Sequence, residues 1–226
     1  MRPSEVDRQA LSTLVTGAYV CPACAIVDWH LDRMTVDYPC PTCGSPSTGA
    51  RSYFPIQAHG LVDLMQLILH SPSKPKSPLV VRQDIGVVVF FCTFLDVLLE
   101  HFLRVLMTAM DLSGAVQDRM LHDNRYHGQR LDRVFPALLD SKFSAAVADL
   151  GSASGHDWQP TLDFCKRAIL ARNSLIHGGQ TWSVESTMPR ECVDQSQEVS
   201  SLFVALHNRY VRPLYSAKGA PYCEPI

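Results

Sequence analysis

The chain carries no surplus of charge: 20 Lys and Arg against 22 Asp and Glu leave a formal net charge of -2 over 226 residues. Non-specific affinity for nucleic acid is built from many cationic phosphate contacts. A global attraction to RNA or DNA is therefore excluded, and any such contact must be local. There is no Gly-rich phosphate loop, no His-Glu-x-x-His pair and no internal repeat, which removes the usual nucleotide cradles, the zinc-hydrolase pattern and solenoid architectures. The opening Met1-Arg2-Pro3-Ser4-Glu5-Val6-Asp7 has no basic n-region. Leu11 to Val20 carries hydroxyl residues and runs into Cys21 without a cleavage-like boundary, so no signal peptide is expected. The most apolar run, Ile85 to Leu99, is interrupted by Asp96 and falls short of the roughly 20 residues a bilayer helix needs. It reads as a buried helix of a soluble, cytoplasmic protein with no membrane partner.

What is present is an apolar fraction of 46%, sufficient for one core and a small added module. Residues 1–50, rich in Cys, Pro, Thr and Val, read as a small β module. Residues 51–82 hold a helix at about Gln57–His70 and the proline-broken connector Ser71–Pro78. Residues 83–215 read as a helical domain, and 216–226 as a tail. Ile85, Val88, Val89, Cys92, Leu95, Leu99, Phe102, Leu106 and Ala109 recur at helical spacing, which predicts a central helix over Asp84–Leu112. Shorter helices are expected at about Ala115–Asn124, Leu131–Leu139 and Ser141–Leu150, then a loop over Gly151–Gly155. A helix from Trp158 to Ile176, closed by Gly178-Gly179, and a last one over Asp194–Val211, ended by Pro213, complete a mainly α fold.

Four cysteines come in pairs, Cys21-Pro-Ala-Cys24 and Cys40-Pro-Thr-Cys43-Gly44, fifteen residues apart. Each Cys-x-x-Cys turn aims two sulfurs at one point, and the spacing suits two knuckles closing a tetrahedral thiolate site for structural zinc. The segment with Val27, Trp29, Leu31, Met34, Val36 and Tyr38 is expected to form a hairpin joining them, with His30 as a surface residue. A redox pair would need a βαβ context, and disulfides suit a secreted chain. A four-sulfur site is closed, so it stabilises or recognises and does not catalyse. Cys92 and Cys165 fall on apolar stripes and read as core; Cys192 and Cys223 have no partner spacing.

On the helix from Trp158 the apolar residues Trp158, Leu162, Cys165 and Ile169 are followed at the same spacing by Arg172 and Ile176. A guanidinium thus lies on a face expected to be buried, which is costly unless an anion or partner meets it. Asn173 and His177, four apart, lie one above the other on the adjoining face. The string Ala171-Arg172-Asn173-Ser174-Leu175-Ile176-His177-Gly178-Gly179 resembles the Arg-Asn-x-x-x-His signature of the HEPN superfamily, and the order of helices over about 55–215 is similar to it. The resemblance implies a bundle with added helices, a homodimer in which two copies of the motif face one cleft, and metal-independent RNA cleavage. It further implies a toxin or antiviral-defence setting, with a protein partner or inhibitor. Arg172 would clamp the phosphoryl oxygens, His177 would move a proton, and Asn173 would orient either. Spacing alone favours a blander reading, with Arg172 bridged to an acid and His177 meeting the last helix carbonyls.

Asp96, Glu100 and Arg104 form a ladder on the central helix. It reads either as a solvated face with Glu100 and Arg104 paired or as a carboxylate reaching Arg172; Glu100 is then the preferred residue. His122–His127 reads as a polar interhelical loop. The alternative for the whole chain is a non-catalytic nucleotide- or RNA-binding adaptor whose zinc ribbon, the four-cysteine β module of residues 1–50, docks a partner.

Overall fold

The computed structural model describes residues 17–29, 39–46, 51–71, 85–218 and 222. His30, the hairpin residues Leu31, Met34, Val36 and Tyr38, most of the proline-rich connector, and Cys223 lie outside them. The described part is mainly helical, with a small antiparallel sheet. β1 (Tyr19–Val20) is central between β2 (Val27–Asp28) and β3 (Arg51–Ser52), in the register Val20 opposite Val27 and Arg51. The third strand extends the ribbon past residue 50, because its two residues complete the other edge of β1.

Helix α1 (Ile56–Leu69) buries Ala58, Val62, Met65 and Gln66, a stripe at steps of four, three and one. α2 (Ile85–Ala109) is the expected central helix. At 25 residues it is long and apolar enough to cross a bilayer, unlike the shorter run read from sequence, yet more than half of its most apolar stretch is buried inside the protein. Asp111, at a left-handed φ of 61°, turns the chain after it. The Gln117 amide donates to the Leu112 carbonyl and the Thr108 hydroxyl, bracing that turn. α3 (Gly114–Asp123), α4 (His127–Gln129), a π turn (Arg130–Val134), α5 (Phe135–Leu139), α6 (Phe143–Ser154), α7 (Gln159–Gly178), α8 (Met188–Leu206), a second π turn (His207–Val211) and α9 (Arg212–Lys218) follow.

Several boundaries differ from the sequence reading for local reasons. The expected loop Gly151–Gly155 is helical through Ser154, and only Gly155, at φ 72°, leaves the helix in a left-handed cap. Gly178 is still helical, and Gly179 at φ 61° is the cap. α8 starts at Met188, with Pro189 in its first turn where a missing N–H costs nothing. Pro213 does not end the last helix. Both Pro136 and Pro213 occupy the second position of a helical segment that follows a π turn. Proline lacks an amide donor and collides with the carbonyl four residues back; widening the preceding turn relieves that clash and lets the rod continue.

The chain divides into two compact units. The described residues of the first come from Ile56–Val97 and Gln159–Ser200, and those of the second from Gly17–Pro55, Leu98–Trp158 and Ser201–Ile226. In the first, Phe91 meets Phe164 edge-on at 5.5 Å, and Val62, Met65, Val88 and Ala168 are fully buried. In the second, Phe102 lies 6.1 Å from Phe135 and 6.0 Å from Phe203, and Leu103, Leu106 and Leu206 are fully buried.

Candidate functional site

The two cysteine knuckles are built alike. Cys21 N–H donates to the Ile26 carbonyl and Ala25 N–H to the Cys21 carbonyl; Cys40 N–H donates to Ser45 and Gly44 N–H to Cys40 in the same pattern. The fifth residue of each turn, Ala25 at φ 55° and Gly44 at φ 71°, takes the left-handed conformation. Two like turns thereby bring their sulfurs together: Cys21 to Cys43 is 3.9 Å, Cys24 to Cys40 is 3.7 Å, and all four lie within 4.8 Å of one another. A tetrahedral metal with bonds of about 2.3 Å to sulfur sets sulfurs about 3.8 Å apart, so the cluster fits a metal ion. The Ser45 hydroxyl and amide, bonded to the Cys43 sulfur, lower its thiol to about 6, while burial pushes Cys24 up to about 12.

This module is clamped to the second π turn. His207 Nε2 donates to the Ala25 carbonyl at 2.8 Å, and the Asn208 amide both accepts from Val27 N–H and donates to Val27 O at 2.8 Å. His207 is fully buried, and burial lowers its pKa to about 3. His101, which like His207 packs edge-to-face with the Tyr53 ring, is lowered to about 4 by the same cause.

The Arg-Asn-x-x-x-His segment occupies the last turns of α7. The buried line of that helix is Thr161, Phe164, Ala168 and Ala171. The larger residues Leu162, Cys165 and Ile169 are only half-buried, and Arg172 continues their line at 25% side-chain exposure. From Thr161 onward the sequence stripe is one step out of phase, because the smaller Thr161, Ala168 and Ala171 share the packing face with Phe164. Arg172 lies 3.9 Å from Asp96 and donates to the buried Cys92 sulfur. Burial pushes the Cys92 thiol up to about 11, the guanidinium opposing the rise. Asn173 is half-buried and His177 is exposed; among the described residues neither side chain has a hydrogen-bonding partner.

The carboxylate beside Arg172 is thus Asp96. Glu100, the residue preferred from sequence, bonds Arg104 at 3.1 Å and Arg130 at 2.9 Å, and Arg104 goes on to Asp118 at 2.8 Å. Arg130, with 11% of its side chain exposed, is the decisive competitor. Nothing in its sequence context marked it, since the π turn that points it inward was not anticipated.

The chain matches no family model, no curated protein and no solved structure. What its helix end can do chemically rests on the side chains themselves. A guanidinium held by a carboxylate keeps donors for a phosphate, and an exposed imidazole one and a half turns further on can exchange protons with a bound substrate. Cys192, unassigned by spacing, is fully buried, and its thiol is pushed up by burial. Among His122–His127, Arg125 stacks over Tyr126 at 5.2 Å, and the stretch links the ends of α3 and α4.

Proposed function

We propose that this chain is a HEPN-type endoribonuclease acting in the cytoplasm as a homodimer, with zinc in its four-cysteine site as a structural ion. The observation that carries the reading is the end of α7: Arg172 beside Asp96, with an exposed His177 five residues on that has no hydrogen-bonding partner among the described residues. Four thiolates select a soft or borderline ion and close its coordination shell. The zinc site then braces the fold, and RNA is cut by side chains alone.

In the proposed reaction His177 of one protomer takes the proton of the ribose 2′-hydroxyl. The 2′-oxygen bonds to phosphorus, the bond from phosphorus to the 5′-oxygen breaks, and His177 of the second protomer protonates that oxygen. Arg172 donates to the phosphoryl oxygens as negative charge builds, and Asn173 orients the phosphate. The products are a 2′,3′-cyclic phosphate and a free 5′-hydroxyl. DNA, which lacks the nucleophile, survives.

Mixed RNA incubated with the protein in EDTA tests this. Cyclic-phosphate ends are expected from the wild type, and at least a hundredfold less from His177→Ala or Arg172→Ala with the fold intact. Undiminished cleavage by both variants would sink the assignment. The net charge of -2 favours a second reading, a binding adaptor whose ribbon docks a protein partner; RNA that binds and is never cut by any form would establish it.

A further inference from the structure

The chain has three tryptophans. Trp158 is buried, Trp29 half-buried, and Trp182 is 77% exposed. Trp182 sits five residues after His177, on a 3-10 turn (Thr181–Ser183) whose backbone is fixed at both ends. Gly179 N–H donates to Leu175 O at 3.0 Å and Gln180 N–H to Ser174 O at 3.3 Å, which ties the turn to the last coil of α7. The Ser183 hydroxyl reaches the Ala171 carbonyl at 3.2 Å, and Val184 beyond it is buried. Ala171 directly precedes Arg172, so the turn runs back along α7 beside the segment that carries Arg172, Asn173 and His177. Gly178 belongs to the same arrangement: a Cβ there would stand 3.2 Å from Cγ and 3.3 Å from Cδ of Gln180, whose side chain lies over it.

An indole held in water on a braced turn is pre-organised for a flat apolar ligand, since little order remains to be lost on binding. In-line attack by a 2′-oxygen requires a nucleotide that has left the A-form stack, and such a nucleotide presents a bare base face next to the reacting phosphate. We propose that Trp182 stacks on an unpaired base flanking the phosphate at Arg172, which makes single-stranded RNA, or an unpaired loop, the substrate class. The flanking Gln180, Thr181 and Ser183 are polar and suit base edges better than a dry protein interface. The place of the phosphate rests on the nuclease reading; the stacking is measured by binding alone.

The test is a fluorescence titration of the His177→Ala protein, which leaves substrate uncut, with a mixed-sequence single-stranded 12-mer RNA and its duplex. Saturable quenching is expected with the single strand, with little from the duplex. It disappears in Trp182→Phe. Binding weakens about tenfold in Trp182→Ala and returns to within about threefold in Trp182→Phe. RNA that binds without quenching, equal affinity in Trp182→Ala, or no binding to RNA would overturn the proposal. So would sedimentation showing that Trp182→Ala only dissociates a dimer, which would make this surface a contact with a second copy. Cleavage with an unchanged KM in Trp182→Ala defeats the stacking and leaves the nuclease standing. Quenching without any cleavage by wild type does the reverse.

Discussion

Asp96 and Glu100 stand one turn apart on α2 with nearly equal exposure, 37% and 36%, so burial does not separate them; their partners do. Glu100 holds Arg130, which also donates to the Asn124 carbonyl at 3.2 Å. Replacing Glu100 by Gln leaves a nearly buried guanidinium short of its anion, and a loss of about 1–3 kcal/mol is expected. The Arg172–Asp96 pair is looser and wetter, so Asp96→Asn should cost under about 1 kcal/mol in stability. On the proposed nuclease reading its effect falls on RNA cleavage, lowering kcat about tenfold by releasing Arg172. Urea melts and cleavage rates of the two variants decide it, and the opposite ranking would return Glu100 to the site. That Arg172, Asn173 and His177 lie together at the end of one helix was legible, because a rigid helix carries their spacing. The identity of the carboxylate was not, because it depends on Arg130 and on a π turn that no periodicity records.

The knuckles were also legible, since each is a local turn whose hydrogen bonds close within six residues. Their anchorage was not: His207 and Asn208 reach Ala25 and Val27 from more than 180 residues away. Periodicity fixed α1, α2 and α3 to within a few residues, but it misjudged glycines and prolines, whose effect depends on the turn receiving them. Asn208 satisfies both polar groups of Val27, so Asn208→Ala should destabilise the protein by about 1–3 kcal/mol. Val27 lies just past the first knuckle, and metal binding is folding free energy for such a module. Once loaded with metal, the same variant should therefore surrender the ion to a competing chelator about tenfold more readily. Unchanged chelator competition alongside lowered stability would mean that the clamp supports the helices alone.

At the scale of the molecule, each compact unit draws on chain segments that are far apart in sequence. Stability across the second unit depends on two histidines kept neutral. His101 and His207 fall from the ordinary 6.5 to about 4 and about 3 through burial. The unfolded chain then binds more protons than the folded one at every pH below about 6.5. Their contribution is fully present above that value and declines as acid is added, until the folded pKa values are reached. By pH 5 each should have removed about 2 kcal/mol, a large part of the roughly 5–15 kcal/mol that holds a domain folded. Protonation of the metal thiolates acts in the same direction, so the histidines must be isolated by substitution. Between pH 6 and pH 5, urea unfolding of metal-loaded protein should show a steeper loss than that of His101→Gln, by about one proton per molecule. Equal slopes would mean that His101 is charged in the fold, and that its place beside Tyr53 is not the apolar enclosure its burial implies.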